Sequence, residues 1–225
     1  MNTSITCVLF DLDGTLIDTA PDFMIVMDNL LREYGQPEMS ESHVRQTVSD
    51  GAGALVKLGF AIEDSDPGFG ERRQRLLDLY GEQLEATRAV LYPGFADLLD
   101  RLEAAGIPWG IVTSKPEPYA TPLLRRLGLL ERCGVLVCPE HVSAKKPNPE
   151  SILLACERLG ADPERTVYIG DHLRDMQAAK NADVIAIAAA WGYLSADSRV
   201  EEWPADFIVR EAQQTESLLN MLQFA

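Results

Sequence analysis

Clustered basic residues, membrane-length apolar runs and paired cysteines are all missing from this 225-residue sequence. The chain carries 20 Lys and Arg against 35 Asp and Glu, a formal net charge of -15. That balance speaks against a nucleic-acid partner, because phosphate backbones are bound through clustered Lys and Arg. The same acidity repels anions at long range, so an anionic ligand must be met by local positive charge from a metal, a few basic side chains or helix N-termini. Cys7, Cys133, Cys138 and Cys156 form no Cys-x-x-Cys pair and lie in apolar surroundings. They are expected to be small core residues in a reducing cytoplasm. No apolar stretch reaches membrane-spanning length, and Met1 to Ser4 carry no basic leader ahead of the first strand. The expectation is a cytoplasmic protein with no membrane partner, acting as a monomer or homodimer. Internal repeats, low-complexity tracts and a Walker-type Gly-x-x-x-x-Gly-Lys are absent too.

With 46% hydrophobic and 24% charged residues the chain is globular. Apolar runs too short for helices recur between helical patterns: Ile5–Phe10, Ile107–Val112, Val135–Cys138, Thr166–Ile169, Val184–Ala188 and, at the edge, Phe207–Val209. Such alternation predicts an α/β fold with a doubly wound, Rossmann-like parallel sheet and right-handed crossovers. Between the first two strands the texture is different. Thr19-Ala20-Pro21-Asp22 starts a helix through Phe23, Met27, Leu30, Leu31 and Tyr34, and helical patterns continue to Arg88 without a β-branched run. Residues 17–89 are therefore expected to form an inserted helical unit, and residues 1–16 with 90–225 the core.

Strand ends in such a sheet line the ligand crevice, and four of them carry chemistry. After the first stand Asp11 and Asp13, two acids that repel one another unless a divalent metal or a proton intervenes. Gly14 allows a tight turn beside them, and the Thr15 hydroxyl with nearby amides fits a phosphoryl group. After the second, Thr113 and Ser114 either hold a phosphate oxygen or simply cap the next helix. After the third, Lys146, in a loop fixed by the prolines on either side of Asn148, can neutralise both Asp11 and a bound phosphoryl group. After the fourth, Asp171 offers a further metal ligand, and Asp175 one helical turn on can hold it or the metal waters. His172 is read as having a loop role, or a supporting one beside the metal ligands, in preference to that of a general base. In the insert, the Gly-rich turn Val48–Gly53 either dips into the site or only connects helices, with Arg45 nearby as an anion clamp.

Asp11-x-Asp13-Gly14-Thr15, Thr113, Lys146-Pro147 and Gly170-Asp171-x-x-x-Asp175, in that order at successive strand ends, resemble the four motifs of the haloacid dehalogenase superfamily. The resemblance implies a phosphatase in which Asp11 attacks phosphorus and forms an aspartyl-phosphate, while Asp13 serves as acid and then base. It also implies Mg²⁺ held by Asp11, the Asp13 carbonyl and Asp171, with Thr113 and Lys146 gripping the phosphoryl group. The insert resembles that superfamily's type-1 helical cap. Asp13 argues against the dehalogenase branch, where no leaving oxygen needs a proton. Asp18–Asp22 and Lys146–Pro149 are similar to phosphoglycolate phosphatases. Val137–Ser143 and Trp191–Leu194 are similar to N-acetylmuramic acid 6-phosphate phosphatases, so the small phosphorylated metabolite stays open between them. His172, in place of a small hydroxyl residue, and Asn181-Ala182-Asp183, without the usual Gly, depart from the pattern. A sugar phosphomutase of the same superfamily and a receiver-like phospho-switch are the competing expectations.

Overall fold

The computed structural model describes residues 4–222; the reading of Met1 to Ser4 as leaderless falls, apart from Ser4, outside them. Strand β1 (Cys7–Phe10) is buried along its whole length. Its four apolar side chains suit the middle of a sheet covered on both faces. Next in the chain come the short strand β2 (Ile17–Asp18) and helices α1 (Ala20–Glu33), α2 (Glu41–Val48), α3 (Ala52–Phe60) and α4 (Phe69–Gln83). They are followed by β3 (Val90–Leu91), α5 (Phe95–Ala104), β4 (Trp109–Val112), α6 (Glu117–Arg126) and β5 (Val135–Val137). The remainder comprises α7 (Glu150–Leu159), β6 (Thr166–Gly170), α8 (Leu173–Asn181), β7 (Ile185–Ala189), β8 (Phe207–Val209) and α9 (Thr215–Met221).

Six strands form one sheet in the order β5-β4-β1-β6-β7-β8, and every neighbouring pair is parallel. The chain moves outward from β1 through β4 to β5, then crosses back to β6 and continues outward on the other side. That reversal makes the C-terminal end of β1 a switch point, the place in an open α/β sheet where a crevice forms. The expected doubly wound architecture is present.

Strand limits shift for identifiable reasons. The second strand begins at Trp109 rather than Ile107 because Pro108 has no N–H for the ladder. Its carbonyl still accepts from the Val8 amide at 3.1 Å. The antiparallel pairing of β2 with β3, Ile17 with Leu91 and Asp18 with Val90, has no counterpart among the strands expected from sequence. Two residues per strand are too few to show alternation. Helices α1 to α4 lie between those two short strands, as the helical texture there predicts. Among the described residues no helix is long and apolar enough to cross a membrane.

Phe10, Phe95 and Trp109 meet edge to face under the sheet, with Phe10 centroids 5.6 Å from Phe95 and 6.3 Å from Trp109. The same apolar cluster runs on into the insert through Phe23, Met27, Leu30, Leu76 and Tyr80. Phe23 and Tyr80 stack with centroids 4.4 Å apart. Replacing the buried Trp109 by Ala removes its aromatic contacts and leaves a cavity. The expected cost is about 3–5 kcal/mol of stability, measured by urea unfolding; a loss below about 1 kcal/mol would contradict this packing.

Candidate active site

Asp11 leaves β1 with its amide still donating to the Ile169 carbonyl at 2.8 Å. The ladder thus carries the carboxylate to the crevice between β4 and β6. There the Lys146 ammonium donates to Asp11 Oδ1 at 3.1 Å and to Asp175 Oδ1 at 2.6 Å, with the Tyr168 hydroxyl at 2.8 Å and the Val112 carbonyl at 3.3 Å. Lys146 is buried, so its stem and charge are held rather than solvated. Asp175 also accepts the His172 amide at 3.1 Å, the reciprocal half of a capping box that opens α8. The carboxylate that caps α8 is thus also a partner of Lys146.

Asp171 receives only neutral donors: the Tyr193 amide at 2.8 Å, the Ser49 hydroxyl at 2.9 Å and the Thr15 hydroxyl at 3.3 Å. Burial is the main cause that pushes its carboxyl up to about 8, reinforced by the charges of Asp11 and Asp175. Burial likewise lifts Asp11 to about 6, against the pull of Lys146. Carboxylate oxygens of Asp11, Asp171 and Asp175 lie within 4.8 Å of one another. Hard oxygen donors this close, buried and short of positive charge, suit a divalent cation. Asp175 is already engaged by Lys146 and His172, which leaves Asp11 and Asp171 as the carboxylates on offer. The backbone is shaped to this cluster. A Cβ on Gly14, whose φ is +80°, would stand 2.3 Å from Asp171 Oδ2, and one on Gly192 would stand 2.2 Å from Asp171 Cβ.

Asp13 faces a second lysine. The Lys115 ammonium donates to Asp13 Oδ1 at 2.9 Å and Oδ2 at 3.2 Å, and the Thr19 hydroxyl donates to Oδ1 at 2.6 Å. Thr113, also buried, accepts the Lys115 amide at 3.0 Å. Asp11, Asp13, Thr113, Ser114, Lys115 and Lys146 line a cavity of about 420 Å³, closed from the insert by Phe23, Leu77, Tyr80 and the turn Val48–Gly53. The turn does reach the site, and its Ser49 is the residue bonded to Asp171. Arg73, Lys145 and Arg174 add positive charge at the cavity wall, the local supply that an acidic chain needs for an anion.

One expected residue stands elsewhere. Arg45 grips Asp18 through Nη1 and Nη2 at 3.0 and 3.1 Å and Glu41 through Nε at 3.0 Å, and it does not line the cavity. Asp18 is the stronger attraction because its paired oxygens match the guanidinium fork. His172 caps α8 by accepting the Arg174 amide on Nδ1 at 3.1 Å, and its Nε2 is 3.3 Å from Asp50.

Lys115, Ser49, Tyr168 and Tyr193 are site neighbours that sequence reasoning missed. The Tyr193 hydroxyl accepts the amides of Thr19 and Ala20 at 2.6 and 2.8 Å and donates to Asp18 at 2.7 Å. It caps α1 in place of the Thr19 side chain, which is committed to Asp13. For Lys115 a signal existed: it follows Thr113-Ser114 at a strand end, and a lysine there needs an acid if it is buried. The two tyrosines stand out by no such spacing.

The sequence pattern of the family described as haloacid dehalogenase-like hydrolase matches residues 8–189. An N-acetylmuramic acid 6-phosphate phosphatase of Pseudomonas aeruginosa is 42% identical over 213 residues, covering 95% of this chain and 94% of its own length. A phosphoglycolate phosphatase of Xanthomonas campestris pv. campestris is 39% identical over 210 residues, covering 92% and 93%. The crystal structure of a predicted phosphoglycolate phosphatase from Haemophilus somnus superposes with a TM-score of 0.84 over 99% of this chain and all of that one, at 23% identity, which bears on the fold. The family match runs from β1 to the last residue of β7 and the relatives span nearly the whole length, so this chain belongs to the haloacid dehalogenase-like hydrolases.

Proposed function

We propose that the chain is a Mg²⁺-dependent phosphatase of small phosphomonoesters, working through an aspartyl-phosphate on Asp11. The observation that carries this reading is the buried Asp11 carboxylate held by Lys146 beside Asp171, with Asp13 across the same cavity. Asp11 Oδ attacks phosphorus, the ester P–O bond breaks, and the leaving oxygen takes a proton from Asp13. Asp13 then removes a proton from water, whose oxygen forms the new bond to phosphorus while the P–O bond to Asp11 breaks. A covalent carrier of this kind divides one hard displacement into two easier ones. Lys146, Thr113 and Ser114 bind the phosphoryl oxygens. Asp11, Asp171 and the Asp13 carbonyl would hold Mg²⁺, which stabilises charge on the transferring oxygens.

Residues 17–89 serve in this reading as a helical cap that shuts water out of the cavity. The short pairing of β2 with β3 is its stem. The preferred substrate is N-acetylmuramate 6-phosphate, because the relative bearing that activity is 42% identical and the cavity of about 420 Å³ has room for a sugar. 2-Phosphoglycolate is the second reading, favoured by the 39% identical relative.

Asp11→Asn is expected to abolish phosphate release and aspartyl-phosphate formation while the fold persists; a rate within tenfold of the parent would reject Asp11 as nucleophile. Comparing kcat/KM on N-acetylmuramate 6-phosphate and 2-phosphoglycolate decides between the substrates, and a higher value on the two-carbon ester would make 2-phosphoglycolate the preferred one.

Metal dependence has a pH signature. Without a metal, burial and the charges of Asp11 and Asp175 push the Asp171 carboxyl up from 3.8 to about 8. The folded state therefore binds the extra proton, and stability falls as pH rises through that interval. In EDTA the melting temperature is expected to drop between about pH 4 and pH 8, with Asp171→Asn flattening the slope. At a hundredfold excess over its Kd, Mg²⁺ should restore about 2.7 kcal/mol. An equal Mg²⁺ effect on parent and Asp171→Asn would remove Asp171 from the ligand set.

A further inference from the structure

Lys115 is buried as deeply as Lys146, yet it touches neither Asp11 nor Asp171. Among the described residues its one ion-pair partner is Asp13. Its ammonium lies 4.4 Å from the centroid of Tyr80 and 5.1 Å from that of Phe23, two rings that themselves stack. Both rings belong to the insert, on α4 and α1, while Lys115 leads into α6 of the core. A buried charge of this kind persists only where its partners are fixed.

The hydrogen bonds define what Asp13 is doing. Thr19 and Lys115 are both donors to it, and together they reach both of its oxygens. A carboxylate that only accepts is the form that takes a proton from water rather than gives one. We propose that Lys115 is the positioning residue for Asp13 in the water-activating half of the reaction, completed when Phe23 and Tyr80 of the insert close over its ammonium; this assignment rests on the phosphatase reading above. In that half the proton passes from water to Asp13, the water oxygen bonds to phosphorus, and the electron pair of the cleaved P–O bond returns to Asp11. Lys115 keeps its protons throughout.

The two half-reactions separate with p-nitrophenyl phosphate, whose leaving group needs no proton. In rapid-mix experiments on the full chain with Mg²⁺, Lys115→Met is expected to release a burst of p-nitrophenol at the parent rate. Steady turnover should then be slower by about 10²-fold, the usual worth of general base catalysis. Acid quench should trap accumulated aspartyl-phosphate on Lys115→Met. Lys115→Gln, which keeps a donor without the charge, should fall between the two and carries the test if Lys115→Met does not fold. Equal slowing of burst and steady phases, or unchanged turnover, would overturn the proposal and leave Lys115 a packing residue. A parent enzyme that forms no aspartyl-phosphate would instead overturn the phosphatase reading itself.

Discussion

Carboxylates from the ends of two neighbouring parallel strands, Asp11 and Asp13 after β1 and Asp171 and Asp175 after β6, are brought together where the sheet is buried, and the structure is arranged to make that tolerable. Taking a carboxylate into a low-dielectric interior costs several kcal/mol unless it is paired and hydrogen-bonded. Lys146 answers for Asp11 and Asp175, and Lys115 answers for Asp13. Asp171 is given only neutral donors and is left wanting positive charge. Asp11, Asp171 and Asp175 thus bring carboxylate oxygens within 4.8 Å of one another with one ammonium, that of Lys146, among them, a donor set that suits a divalent cation.

The insert is tied to this electrostatic centre rather than merely laid across it. Ser49 bonds to Asp171, the Arg174 guanidinium reaches the Ser49 carbonyl, and Asp50 meets His172. On the other side Tyr193 donates its amide to the Asp171 carboxylate and accepts the amides at the start of α1 on its hydroxyl, and Asp18 passes the connection to Arg45 on α2. Two groups of contacts therefore join the helices to the strand ends, one at the turn Val48–Gly53 and one at the root of α1. Phe23, Leu77 and Tyr80 from these helices line the same cavity as Asp11 and Asp13.

Long-range and local electrostatics oppose each other in this protein. A net charge of -15 repels a phosphate ester in solution. The cavity wall nonetheless gathers Arg73, Lys115, Lys145, Lys146 and Arg174 against Asp11, Asp13 and Asp50. Lys115 and Lys146 are buried, so their charges are screened far less than those of Arg73 and Lys145, which stand exposed at the rim.

From the order of residues alone came the parallel sheet, the inserted helices and the acids, hydroxyls and lysine at strand ends. These features are local: each chemical group lies within a few residues of the apolar run that delivers it to the crevice, or, for Lys146, in a proline-fixed loop. Helical periodicity marked the insert for the same reason, and only the two-residue strands β2 and β3 were too short to register. Tertiary structure alone decided which charge meets which. Lys115 reaches Asp13 across 102 positions, Ser49 reaches Asp171 across 122, and the Tyr193 hydroxyl reaches the Thr19 amide across 174. Arg45 was drawn to Asp18 instead of the cavity by a carboxylate that only the packing of α2 against the root of α1 brings into reach. Periodicity fixes the face on which a side chain lies, but the partner it finds depends on how separate elements pack, and that is a property of the folded chain.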